Sequence, residues 1–189
     1  LGLLSAIGPF AIDMYLPAFP AIAQNLNVDV GQVQLSLVSF FFALVVGQLF
    51  YGPISDAIGR KKPLYAGLTV FVLGSIGCSM AQSVEMLIFM RFVQGLGACA
   101  GMVLSRAIVR DIHTGREAVR LISLMMLVLS VSPMLAPLAG SLLSGSMSWR
   151  GIFIVPAGLG VFGGVLMWKF LPETRPPERR SKAGMAAAL

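Results

Sequence analysis

Two opposite charges stand inside long apolar runs, Asp13 in AIDMYLPAFP and Arg91 in RFVQGLGACAG. An ionised side chain at such a place costs roughly 3 kcal/mol on insertion scales, so it is paired, neutralised or wetted. Loss of water favours the neutral carboxylic acid, which makes Asp13 a candidate proton carrier. Arg91 keeps its charge and needs a partner or water. Asp13 is the natural internal partner, and a substrate or a protonation-sensitive carboxylate is the alternative. Gln94 follows Arg91 at i+3, on nearly the same helix face. A fixed ion pair without any further role is the plainer reading of the same two charges.

A second constellation lies in GPISDAIGRKK, residues 52–62, where Gly52, Asp56 and Arg60 recur every four residues. Gly52 would admit a neighbouring helix closely. Asp56 would be held by a helix N-terminus or a basic group. Gly59 would make the sharp turn, and Arg60, Lys61 and Lys62 would anchor the loop. A third lies in SPMLAPLAG, residues 132–140, where Pro133 and Pro137 stand four apart. They must bend or loosen a helix, and Ala136, Ala139 and Gly140 allow tight packing. This suits a helix that pivots or seals a gate.

The elements that carry these residues follow from composition. Of the 189 residues, 57% are hydrophobic and 12% charged, about half the charged share of a soluble domain. The apolar residues fall in runs of about 20, the length that crosses a bilayer. Six spans are expected, over 1–23, 33–55, 63–82, 84–108, 118–143 and 150–170. This makes an all-α integral membrane protein, a six-helix bundle over 1–172, followed by the start of a linker over 173–189. Pro17 and Pro20 should bend the outer end of the first span.

Lys and Arg set the orientation. The 52–62 loop, the loop near 110–120 and the tail hold twelve of them, whereas the opposite side holds only Arg150. Those three segments are therefore expected in the cytoplasm, with both chain ends there too. The same placement argues against nucleic-acid binding despite the net charge of +6. Spans one to three and four to six would form two inverted three-helix repeats. The first residue, Leu1, and the polar tail read as cut points within a longer protein.

Other chemistry finds little support. Gly95, Gly97 and Ala100 match a dinucleotide pattern, but that motif needs a preceding strand. Gly97 with Gly101, and Gly160 with Gly164, instead make faces for close helix contact. His113 is the sole histidine, so a histidine metal cluster is not expected. Ser144 and Ser146 would lie across the membrane from His113, which argues against a serine protease. Cys78 and Cys99 read as small buried hydrophobes.

Together these stretches resemble the major facilitator superfamily. GPISDAIGRKK is similar to its loop between helices two and three, RFVQGLGACAG to its helix-four motif, and SPMLAPLAG to its helix-five antiporter motif. Ala136 replaces the first Gly of that antiporter core. WRGIF at 149–153 and LPET at 171–174 match the flanks of helix six in drug exporters. DMYLPAFPAI and VRDI look most like the bicyclomycin and chloramphenicol-resistance exporters.

The resemblance implies the N-terminal half of a twelve-helix inner-membrane exporter. That exporter would exchange small amphipathic drugs for protons by alternating access. It would draw on the proton gradient and need no cofactor, metal or enzymatic step. Its partners would be drug, protons, the lipid bilayer and the missing six-helix half. It puts Asp13, Arg91 and Gln94 near the cavity. It makes Gly52, Asp56, Gly59, Arg60 and Lys61 part of a conformational latch, with Asp111 close enough to pair with Arg60. The rival readings are a facilitator or symporter for a sugar or other metabolite, and a membrane anchor without transport.

Overall fold

The computed structural model describes residues 1–146 and 148–175, apart from the side chains of 143–146. The reading of Ser144 and Ser146 and most of the 173–189 tail lie outside the described residues. Among the described residues the chain is helical, without strands. The helices are α1 (Gly2–Asp13), α2 (Phe19–Leu26), α3 (Val30–Ile58), α4 (Lys61–Ser79), α5 (Val84–Ile112), α6 (Gly115–Ser146) and α7 (Gly151–Phe170).

The first span is broken. α1 stops at Asp13, a short 3₁₀ turn covers Leu16–Ala18, and α2 starts at Phe19. Pro17 and Pro20 sit at the first turns of the 3₁₀ segment and of α2, where a missing N–H costs least. Local chemistry sets the other ends. Asp29 opens α3 with a reciprocal capping box to Gln32, and Ser83 accepts from the Met86 N–H at the start of α5. Gly59 turns the chain between α3 and α4 with a φ of 96°, a conformation that strains any other residue.

Among the described residues five segments are long and apolar enough to cross a membrane: α1 with α2, α3, α5, α6 and α7. The sixth expected span differs. α4 has only 19 residues, with Lys61, Lys62 and Pro63 in its first turn, and by length and composition it is not among the five. It nonetheless packs against both α5 and α7.

α5 is the centre of the bundle. Its glycines each meet a different neighbour, as Cβ atoms built on them would show. Gly95 lies against the Phe40 carbonyl of α3, Gly97 against the Phe71 backbone of α4, and Gly101 against the Leu4 carbonyl of α1. These contacts explain the spacing as close helix packing. On α7, Gly160 abuts Val72 and Phe71, but Gly164 meets only Leu68 at an ordinary 3.8 Å. The close face of α7 therefore runs through Gly160 and Gly163, which sits on Leu4, and not through Gly164. Large apolar side chains such as Val38, Phe42, Leu49, Leu127, Leu138 and Leu142 point outward, as they do where the surroundings are lipid.

Candidate functional site

Arg91 is fully buried near the middle of the bundle. Its Nη1 donates to Gln94 Oε1 at 2.7 Å and to the Ala11 carbonyl at 3.4 Å. Its guanidinium lies 4.3 Å from the Tyr15 ring, 4.4 Å from Phe40 and 5.8 Å from Phe153. Nε and Nη2 have no acceptor. The ring faces supply negative potential in place of a carboxylate. Gln94, equally buried, passes the chain of contacts on, since its Nε2 donates to Ser75 Oγ at 2.8 Å. Tyr15 is fixed in turn by a 2.6 Å hydrogen bond between its hydroxyl and Ser36 Oγ.

Asp13 is not part of this cluster, so the expected Asp13–Arg91 pair is absent. The reason is helical geometry. Ala11, whose carbonyl meets Arg91, lies two residues earlier, and two residues turn a helix by about 200°. Asp13 therefore leaves α1 on the other side. It is half-buried, and among the described residues no hydrogen bond or ion pair holds its carboxylate. It also sits where α1 ends, one residue before Met14.

The helix-five motif meets that same break. Ser132, Ala136 and Gly140 recur every four residues and are buried, whereas Pro133 is exposed and Pro137 half-buried. Gly140 lies directly on the Met14 carbonyl, and Ala136 shares a core with Met14, Tyr15 and Phe153. The small residues thus let α6 touch the broken turn of α1, while Pro133 faces away.

The basic end of the bundle holds a second cluster around Arg60, which is only 6% exposed. Its Nε donates to Asp111 Oδ2 at 2.8 Å, its Nη1 lies 2.8 Å from Asp56 Oδ1, and Nη1 also donates to Ser55 Oγ. Arg175 Nη1 reaches the same Asp56 oxygen at 2.7 Å. Glu173 accepts from the backbone N–H groups of Arg60 and Lys61 at 2.9 and 3.3 Å. A carboxylate there caps the start of α4, whose own sequence provides no cap. Gly52 departs from expectation, because nothing lies within 4 Å of a Cβ built on it. Among the described residues no other element fills that position.

Sequence reasoning passed over Tyr15, Phe40, Phe153, Ser75, Glu173 and Arg175. The aromatic residues looked like any other apolar residue of a span, and nothing in their spacing marks them as partners of Arg91. Glu173 had a signal, being the acid of the LPET stretch. Among the described residues no group of His, Cys, Asp and Glu is placed to hold a metal ion.

Comparison with known proteins places this architecture. A sequence model of the Major Facilitator Superfamily matches residues 1–188. The chain is 44% identical, over its whole length and 48% of the relative, to the uncharacterized MFS-type transporter YdgK of Bacillus subtilis. It is 37% identical to a bicyclomycin resistance protein homolog of Haemophilus influenzae, covering 95% of the chain and 45% of that protein. The crystal structure of the human organic anion transporter MFSD10 (TETRAN) shares its fold with a TM-score of 0.73. That match covers 99% of the chain and 50% of the human protein at 19% identity. The chain thus spans about half the length of the curated relatives it matches. On its full-length sequence match and its helical membrane architecture, this chain belongs to the Major Facilitator Superfamily, a family of membrane transporters rather than enzymes.

Proposed function

We propose that this chain is one six-helix half of a twelve-helix exporter that exchanges small amphipathic drugs for protons across the inner membrane. The basic rim and both ends of the chain would face the cytoplasm, as the twelve-to-one bias of Lys and Arg implies. The proton gradient would drive the exchange without a cofactor. The bicyclomycin-resistance name of one relative supports a drug as substrate in preference to a sugar. Packing supports the two inverted repeats. α1 contacts α6 and α7, while α5 contacts α3 and α4. The first helix of each repeat thus packs against the second and third of the other.

The observation that carries the coupling is the unpaired, half-buried Asp13 at the break of α1. Arg91 is sealed among rings and Gln94, so it acts as a fixed positive charge inside this half. Asp13 is the group free to change charge. Protonation there would alter the field in the cavity and shift the balance between inward-open and outward-open states. The contact of Gly140 with Met14 lets α6, loosened by Pro133 and Pro137, sense the break. At the basic rim, Asp111 and Asp56 hold Arg60 inside this half. Gly52 and the exposed edge of Asp56 lie four residues apart, open to a helix of the second half. This serves as the latch, with Gly59 and Lys61 fixing the turn.

The test is drug-stimulated proton movement in vesicles holding the full-length protein. Asp13→Asn should abolish it while drug binding persists. Unchanged coupling in that variant removes Asp13 from the mechanism.

A further inference from the structure

α3 and α7 both start at the rim opposite Arg60, and a polar cluster joins the segments that precede them. Asn25, in the last turn of α2, meets Trp149 and Arg150, in the turn between α6 and α7. Its Oδ1 accepts from Trp149 Nε1 at 3.2 Å and from Arg150 Nη1 at 3.1 Å. Both partners are donors only, which fixes the amide with its oxygen towards them. Arg150 Nη2 donates to the Ala81 carbonyl, in the turn between α4 and α5, at 2.9 Å. The same guanidinium lies 4.3 Å from the centre of the Trp149 ring, a cation–π contact. One guanidinium and one amide thus join three connections that are remote in the sequence.

The Ala81 N–H donates to the Cys78 carbonyl, so Cys78 sits directly beneath this cluster. Cys78, Trp149, Phe153 and Tyr15 belong to one buried core, whereas Cys99 belongs to another, which α5 builds with α1, α3 and α4. The Trp149 ring meets Phe153 edge-on at 6.2 Å, and Phe153 meets Tyr15 at 5.5 Å. Two of the rings that flank Arg91 are therefore continuous with the rim cluster. α2 has only eight residues, too few to hold a helix unaided, so its place depends on tertiary ties. Membrane orientation does not account for Arg150, which stands apart from the twelve basic residues of the other rim.

We propose that Asn25, Trp149 and Arg150 form a clasp at this rim. Closed, it docks α2 against the α4–α5 and α6–α7 turns and shuts the core that supplies Tyr15 and Phe153 to Arg91. Its release frees α2 and opens that core from the rim inwards, beginning at Cys78, while the core around Cys99 stays intact. Arg150 is here a positioning residue that acts through Trp149 and Phe153. The clasp does not involve Asp13, and its state is read without transport, so its failure would leave the export reading untouched.

The test labels the full-length protein in detergent with N-ethylmaleimide, and peptide mass spectrometry reads Cys78 and Cys99 separately. Arg150→Gln and Asn25→Ala should each speed modification of Cys78 several-fold, up to about tenfold, as loss of a net hydrogen bond implies for local opening. Cys99 should react as before. Alanine is the better helix former, so a faster reaction in Asn25→Ala does not come from lost helix propensity. Arg150→Gln removes no charge from the basic rim, so membrane orientation should be kept. Asn25→Asp retains an acceptor for both donors and should protect Cys78 at least as well as the parent. Hydrogen exchange over residues 19–27 is the second reading, and it should quicken in Arg150→Gln and Asn25→Ala but not in Asn25→Asp. Either reading unchanged in both of the first two variants overturns the proposal. Equal acceleration at Cys99 also overturns it, since the whole bundle is then loosened, as does an Asn25→Asp variant as reactive as Asn25→Ala.

Discussion

The two buried arginines among the described residues, Arg60 and Arg91, solve the same problem in opposite ways. Arg60 at the rim meets two carboxylates, Asp56 and Asp111. Arg91 in the centre meets none, and relies on three aromatic rings, an amide oxygen and a backbone carbonyl. The rim network is made of full charges with water at its edge, since the Asp56 side chain is 40% exposed. The central one is fully buried. The difference separates what each position can do. Charges that are matched and partly wet can be exchanged for other partners when the surroundings move. A guanidinium boxed in by rings has no competing partner and stays where it is, so any change of charge in the centre must come from another residue. Under the proposed coupling that residue is Asp13, unpaired at the end of α1.

The comparison predicts unequal responses to substitution. Arg60→Leu leaves Asp111 without its cation and Asp56 with Arg175 alone, and should cost about 3 kcal/mol in detergent-solubilised thermal unfolding, near the lower end for a broken buried pair because Asp56 keeps Arg175 and some water. Arg91→Lys comes next, at about 2 kcal/mol. An ammonium is compact and strongly hydrated, and it does not stack on Tyr15 and Phe40 as a guanidinium does. Glu173→Gln removes the carboxylate from the start of α4 and should cost about 1 kcal/mol in the same measurement. The smallest effect is expected for Arg91→Met. Filling the ring box with an apolar side chain of similar length should change stability by less than about 1 kcal/mol. If Arg91→Met destabilised the protein as strongly as Arg60→Leu, the two arginines would be alike and the contrast would disappear.

The rim was legible in the sequence to a large degree. Asp56 and Arg60 are four residues apart in the sequence, so their contact is a local matter, and the pairing of Asp111 with Arg60 was implied by the family resemblance. The LPET stretch was recognisable, but its role in capping α4 depends on bringing residue 173 beside residue 60. The centre was legible only as two charges. Their apparent match in sign suggested a pair, yet a turn of about 200° between Ala11 and Asp13 sends the carboxylate away from Arg91. Likewise the glycines of α5 announced close packing, but which glycine meets which neighbour was not written in their spacing.

By itself the sequence determined five of the membrane-length segments, a disturbance of the first span near Pro17 and Pro20, and the turn at Gly59. Each of these follows from hydrophobic run length or from a backbone restriction that acts within a few residues. Tertiary structure alone decided that Arg91 would be housed by Tyr15, Phe40 and Phe153, that Asp13 would stand unpaired, and that Glu173 would cap α4. Those outcomes depend on the rotation of helices about their axes and on contacts between segments far apart in the chain. Rotation is fixed only when the small residues of α5 and α6 bring their neighbours into contact.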